Sequence, residues 1–187
     1  MTQITNRYFI ALLPPPEIQA HVRQIQQYFA EHYHSRGALR SPPHITLQAP
    51  FLWSSANVNF LQDQLKIFAD QHQPIAIALD GFAAFSPRVI YVNVAKTSEL
   101  LQIHADLLAY CKAIGIVDPV ATRPFAPHMT VAFRDLTRQN FRTAWREFQP
   151  QQLHYEFVAH ELTLLLHDGQ RWNNYAHFPF ACRSKPS

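Results

Sequence analysis

The phrase Pro43-His44-Ile45-Thr46-Leu47 returns later in the chain as Pro127-His128-Met129-Thr130-Val131. In an extended strand alternate residues share a face. Each copy therefore sets one imidazole and one hydroxyl side by side on one face and turns two apolar side chains to the other. Such a pattern demands two half-buried strands, each with its apolar face on a core and its His/Thr face open to something else. A lone His-x-Thr means little among 11 histidines, but two copies sharing the proline and both apolar positions constrain the fold.

The stretches around the two phrases follow one rhythm. Arg7 to Leu13 reads as a buried strand, and Pro14-Pro15-Pro16 with Glu17 starts a helix, since proline fits the first turn and an acid there suits the dipole. That helix runs to about His34, with Ile18, Val22, Ile25, Tyr28 and Phe29 inward at three- and four-residue steps and Gln26 and Glu31 facing water. Ser35-Arg36-Gly37 forms a loop before the first motif strand, which ends at Pro50, and a second helix from about Asn57 to His72 buries Phe60, Leu61, Leu65 and Phe68. Pro74 to Phe85 and Val89 to Val94, broken by Ser86-Pro87, read as adjacent antiparallel strands.

Thr97 or Ser98 caps a third helix that reaches about Ile114 and stops at Gly115. A polar, proline-bearing loop through Arg123-Pro124 leads to the second motif strand, Phe125 to Phe133, and a fourth helix spans about Thr137 to Phe148. Leu153 to Leu166 and Trp172 to Phe180 flank His167-Asp168-Gly169-Gln170, where Asp-Gly signals a hairpin. The repetition predicts an α+β chain made by diverged duplication: two pseudo-symmetric antiparallel sheets facing a central cleft, helices outside, one His-x-Thr on each wall. Residues 1–182 form a single bilobal domain in this reading, with a mobile tail at 183–187.

Composition narrows the company such a cleft keeps. At 187 residues, 48% hydrophobic and 16% charged, the chain can bury a conventional core. A net charge of +3 favours an anionic ligand, and no lysine or arginine run marks an extended nucleic-acid track. Cys111 and Cys182 lie far apart and form no metal-spaced pair, which fits reduced thiols in the cytoplasm, with Cys111 in the core. The apolar run Tyr8 to Leu13 is too short to span a bilayer, so no membrane partner is expected. The chain is read as a monomer.

Two histidines on opposite walls suit in-line attack at phosphorus, where incoming and departing oxygens lie on opposite sides. A neutral imidazole takes the proton from water, and a protonated one gives a proton to the leaving oxygen. Thr46 and Thr130 would donate to the non-bridging oxygens. This scheme needs neither metal nor cofactor, and no HExxH, CxxC or motif-adjacent carboxylate supports a zinc reading despite His154, His160 and His167 late in the chain.

With these residues in view, the chain resembles the two-histidine (2H) phosphoesterase superfamily, in the branch named for bacterial 2′-5′ RNA ligase and RNA 2′,3′-cyclic phosphodiesterase. The resemblance rests on both His-x-Thr-apolar phrases, on Arg7-Tyr8-Phe9-Ile10-Ala11-Leu12 before a proline-started helix, and on Phe82 to Val92, similar to a Phe-x-x-Phe…Arg-Val-x-Tyr segment of the family. It implies a bilobal α+β fold with pseudo-twofold symmetry, and a metal-free site of His44, Thr46, His128 and Thr130. It further implies opening of 2′,3′-cyclic phosphate ends of RNA or small nucleotides to a 2′-phosphate, with reversible 2′-5′ ligation as a variant of that chemistry.

One departure stands out: many relatives carry Arg two residues after the first threonine, where this chain has Gln48. Strand alternation carries the second motif to Arg134, which would supply the missing charge from the other wall. Phe51, Trp53 and Tyr91 are candidates to stack on a base, set against plain core roles, and Arg88 is a candidate phosphate contact set against a solvated strand end. Two other readings compete with the enzyme: a non-catalytic module that binds a nucleotide or RNA end, and a phosphoesterase of this superfamily acting on a different phosphodiester.

Overall fold

The structure, a computed structural model, describes residues 4–117 and 124–181. Cys182, the 183–187 tail and most of the polar loop ahead of Pro124 lie outside the described residues. In chain order come β1 (Thr5–Leu12), α1 (Pro16–His32), a 3₁₀ turn (Gly37–Arg40), β2 (Ile45–Ser54), α2 (Val58–Asp70), β3 (Ile75–Phe85), β4 (Val89–Val94) and α3 (Ser98–Ala113). They are followed by β5 (His128–Ala132), α4 (Arg138–Phe148), β6 (His154–Ala159), β7 (Glu161–His167) and β8 (Trp172–Pro179).

The strands form two four-stranded antiparallel sheets, ordered β2-β1-β7-β8 and β5-β4-β3-β6. In each, the motif strand is an edge paired with the strand that precedes its helix, so β1-α1-β2 and β4-α3-β5 are equivalent units. The edge position explains why β2 continues through Pro50 to Ser54 instead of ending there, because an edge residue can lack its N–H without breaking a ladder. The second motif strand is shorter than alternation suggests and stops at Ala132. Leu153 to Leu166 is two strands, broken at His160, with β6 in the second sheet and β7 in the first.

The halves interlock. β3, which follows α2, joins the second sheet, while the first is completed only by β7 and β8 at the end of the chain. Helix α1 packs against β5 and α3 against β2, so each motif strand is backed by the helix of the other half. One apolar cluster accordingly holds Tyr8, Ile10, Leu12, Ile45 and Leu47 of the first sheet together with Ile90, Val92, Met129 and Val131 of the second. Leu61, Leu65 and Phe68 of α2 join it, and Cys111 is buried as expected.

Two helix positions differ from the periodic reading. Phe60 is 49% exposed and stacks on Trp53, since it sits one residue, a 100° step, off the Leu61–Leu65–Phe68 stripe. Gln26 is buried at 2% because it shares the face of Val22 and Phe29, and its amide donates to the Thr130 carbonyl at 3.0 Å, tying α1 to the second motif strand.

A second tie crosses between the halves. The Asp135 carboxylate, just past β5, accepts from Ser35 Oγ (3.0 Å), Arg36 N (2.8 Å) and Gly37 N (3.2 Å). A Cβ on Gly37 would lie 2.8 Å from the Phe133 carbonyl oxygen, so only glycine permits this approach. Gly37→Ala should therefore lower stability by about 1–3 kcal/mol through overpacking, and Asp135→Ala by about 1–3 kcal/mol through orphaned donors. Urea unfolding measures both, and a change below a few tenths of a kcal/mol in either would remove that contact from the clamp.

Candidate active site

The open faces of the two sheets enclose a cleft of about 370 Å³. His44, Thr46, His128 and Thr130 all line it, as the alternation of the motif strands requires. Thr46 lies opposite Ala11 and Thr130 opposite Tyr91 in the ladders, while Ile45 lies opposite Leu12 on the core side.

Both imidazoles are anchored in the same way. His44 Nδ1 is 2.7 Å from the Pro42 carbonyl, and His128 Nδ1 is 2.7 Å from the Ala126 carbonyl, each two residues upstream. A carbonyl only accepts, so Nδ1 carries the hydrogen in both rings and the Nε2 lone pair is left free. The motif prolines Pro43 and Pro127 stand between anchor and histidine with φ locked, which fixes the geometry of each short loop. Aromatic rings back the imidazoles: Phe9 lies 4.7 Å from His44, and Phe85 and Tyr91 lie 5.1 and 5.2 Å from His128.

The electrostatics keep both rings neutral. Burial pushes His44 down to about 4 against the pull of its carbonyl anchor, and the charges of His128 and Arg23 push the same way. His128 is lowered as well, again by burial and against its anchor to Ala126. Arg23 of α1 donates to the Leu39 carbonyl (3.2 Å) and the Ser41 carbonyl (2.9 Å), so one guanidinium both pins the 3₁₀ turn and places a positive charge behind His44. The hydroxyls of Thr46 and Thr130 have no hydrogen-bond partner among the described residues and are free to donate into the cleft.

The outer residues named from sequence divide. Arg134 does line the cleft, but not by alternation: β5 has ended at Ala132, and a left-handed backbone (φ 64°) swings Arg134 round so that its guanidinium lies 5.2 Å over the Phe133 ring. Gln48 does not reach the cleft. Ile10 pairs with Gln48 but the next residue, Ala11, pairs with Thr46, so Leu47 is an extra residue in the ladder. That bulge moves Gln48 to the core side, where it is 1% exposed and its amide donates to the Ala49 carbonyl. Phe51 pairs with Tyr8 and joins the core, and Trp53 donates to the Asn57 carbonyl away from the cleft. Arg88 sits exposed in the β3–β4 turn and does not line the cleft. Tyr91, 9% exposed, supports His128 from behind instead of offering a stacking face.

The sequence reading missed much of the rim: Arg7 and Arg40, Ser41, Phe133, His167 and Trp172 all line the cleft. Arg7 lies 5.4 Å from the Trp172 ring, and Trp172 packs edge-on against Phe9 at 4.6 Å. Arg7 had a legible signal, because it shares the β1 face of Phe9 and Ala11. Arg40 and Trp172 had none, since they arrive from a turn and from a strand remote in sequence. His154, His160 and His167 are not gathered: no group of three metal-ligand residues exists among the described residues, and His154 faces Asp80 and Glu156. Among the described residues no helix is long and apolar enough to cross a membrane.

Comparison with known proteins agrees with this architecture. The sequence model of the 2′-5′ RNA ligase superfamily matches residues 14–171. A curated relative from Geobacillus kaustophilus, named "Putative phosphoesterase", is 28% identical over 176 residues, covering 92% of this chain and 95% of its own length. The crystal structure of a Thermus thermophilus protein shares the fold at TM-score 0.64 and 18% identity, over 93% of this chain and 97% of that one. E. coli LigT, solved in complex with 3′-AMP, does so at TM-score 0.62 and 20% identity, over 95% of this chain and 99% of that one.

Nitrogen-detected NMR should find both histidines as the Nδ1–H tautomer, with His44 titrating near pH 4 and His128 below its ordinary range. Arg23→Met should raise the His44 midpoint and leave that of His128 in place. Equal movement of the two would show that Arg23 acts through the fold and not through its charge.

Proposed function

The chain belongs to the 2′-5′ RNA ligase superfamily, and on that premise we propose that it is a phosphoesterase that opens 2′,3′-cyclic phosphate ends of RNA or nucleotides without a metal. The observation that carries this reading is the matched pair of carbonyl-anchored imidazoles, each with a free Nε2 and a free threonine hydroxyl, on facing walls of one cleft.

In the proposed step, water attacks the phosphorus from one wall while O3′ leaves toward the other. His44, the more strongly depressed of the two, is the base and accepts the water proton at Nε2; His128 donates its Nε2 proton to O3′. A P–O bond forms to water, the P–O3′ bond breaks, and a 2′-phosphate results. Proton exchange with solvent then resets the two rings. Thr46 and Thr130 donate to the non-bridging oxygens, where charge grows. Arg134, Arg40 and Arg7 surround the phosphate with positive charge, and a bound anion raises the share of His128 that is protonated. If the 5′-hydroxyl of a second strand replaces water, the same transfers give a 2′-5′ linkage.

The test is turnover of nucleoside 2′,3′-cyclic phosphates and a short RNA with a cyclic end after EDTA treatment. His44→Ala and His128→Ala should each reduce kcat by about 10² to 10⁴, Thr46→Val and Thr130→Val by roughly tenfold to a hundredfold, and Arg134→Ala should act mainly by raising KM. Turnover that survives either histidine change would overturn the two-histidine step.

The pH profile carries the sign of the shifts. The base must be neutral and the acid protonated, so kcat/KM should be a bell whose acid limb lies near 4, from His44, and whose basic limb lies below the ordinary histidine value of 6.5, from His128. The kcat bell should sit at higher pH, because the bound phosphate favours both protonated rings. A flat kcat/KM profile from pH 4 to 8 would contradict the assignment.

A further inference from the structure

The catalytic cleft does not end at its own rim. Arg40, Ser41 and Trp172, which line it, also line a shallow groove that runs over Leu39 and Pro42 to Arg171, Asn173 and Asn174. Arg40 and Arg171 then border a further depression with Gly169 and Gln170 of the β7–β8 turn. The three recesses share Arg40, so they form one track leading away from the His44 side of the cleft.

The arginines along this track are in no ion pair among the described residues. Among the described residues every ion pair involves a histidine, and none involves Arg7, Arg40, Arg134 or Arg171. Asp168 is the one carboxylate of the turn, and it is committed to holding it: its oxygens accept from Gln170 N, Arg171 N and Asn173 Nδ2, each at 2.8 Å. Those bonds keep the Asp168 carboxyl down at about 2, with the charge of Arg171 as the smallest contribution. The turn thus fixes the Arg171 backbone and leaves its guanidinium in solvent. Arg171 immediately precedes Trp172 but does not itself line the cleft, so it stands outside the cations that surround a single cyclic phosphate.

We infer that the groove from Arg40 and Ser41 to Arg171 and Asn173 is a subsite for a second phosphate, that of the RNA strand on the 5′ side of the scissile group, so the preferred substrate is an oligonucleotide end and not a free nucleotide. The inference rests on the reading of the cleft as a phosphoesterase site for nucleotidyl ends. Arg171 pairs with the strand's backbone phosphate, the side-chain oxygen of Asn173 and the amide of Asn174 offer hydrogen bonds to sugar or base, and Trp172 presents an aromatic surface where cleft and groove meet. A phosphate on the 5′ position of a lone nucleotide has the same chemistry as the first backbone phosphate of a strand, and the experiment must separate them.

Equilibrium binding does this with three ligands that end in a 2′-phosphate: a 5′-fluorescein tetraribonucleotide followed by anisotropy, and a nucleoside 2′-phosphate and its 5′-phosphorylated form as competitors. The tetranucleotide should bind at least tenfold tighter than either mononucleotide. Arg171→Ala, which keeps the main-chain bonds to Asp168, should cancel most of that gain. It should also reduce the slope of log Kd against log salt by about 0.7, the value for one phosphate contact on a single strand, with Arg171→Lys retaining the slope. Equal affinity of the 5′-phosphorylated mononucleotide and the tetranucleotide would overturn the strand subsite in favour of a nucleotide phosphate site. An unchanged slope in Arg171→Ala would overturn the groove altogether. Hydrolysis by the same protein of a tetraribonucleotide with a 2′,3′-cyclic phosphate end separates the two readings: turnover without a chain-length effect in binding removes the groove alone, and a chain-length effect without turnover removes the cyclic phosphodiesterase reading alone.

Discussion

Each motif strand must bury two apolar side chains while presenting a histidine and a threonine to water, and the rest of the architecture follows from that demand. A strand with one dry face and one wet face needs a core on one side and a gap on the other. Here the core is common to both sheets, because α1 backs β5 and α3 backs β2. The cleft walls are therefore held by one continuous apolar cluster, and a shift of one wall would disturb packing behind the other. Interlocked packing of this kind holds the two imidazoles and the two hydroxyls in fixed positions on facing walls of the cleft.

Within that frame the anchoring of the imidazoles decides the chemistry available. Tethering Nδ1 to a carbonyl two residues upstream costs each ring a rotational freedom but settles its tautomer, so that the atom facing the cleft is always Nε2. Burial then favours the neutral form of both rings, and the rim arginines Arg7, Arg40 and Arg134 make no ion pair among the described residues. The pseudo-symmetry is broken in the surroundings of the imidazoles, since the charge of Arg23 bears on His44 and not on His128, and His128 packs on Phe85 and Tyr91 where His44 packs on Phe9.

Much of this was legible in the residues. Period-two alternation placed His44, Thr46, His128 and Thr130 on open faces and their apolar neighbours in the core, and the rhythm of strand, helix and strand announced two equivalent halves. Alternation failed where the ladder is irregular. One extra residue at Leu47 carried Gln48 to the core side, and the strand's early end left the placement of Arg134 to a left-handed turn, which returned it to the cleft. Helical periodicity failed at Gln26, a polar residue on an apolar face, because only the neighbouring β5 provides the carbonyl that makes its burial tolerable.

By itself, the sequence determined the identity and facing of the four central residues, since side-chain direction in a strand is a local property set by backbone geometry. It also determined the α+β class and the recurrence of the strand-helix-strand unit around each motif, which are patterns of period and order along the chain. The tertiary structure alone decided which sheet each later strand joins, how the halves interlock, and which cations and aromatic rings complete the rim. Arg7, Arg40, Arg134 and Trp172 come from separate segments and meet only because the sheets fold toward one another. The physical reason is that facing depends on one dihedral pattern, whereas proximity between remote segments depends on the packing of the whole core, which no window of sequence contains.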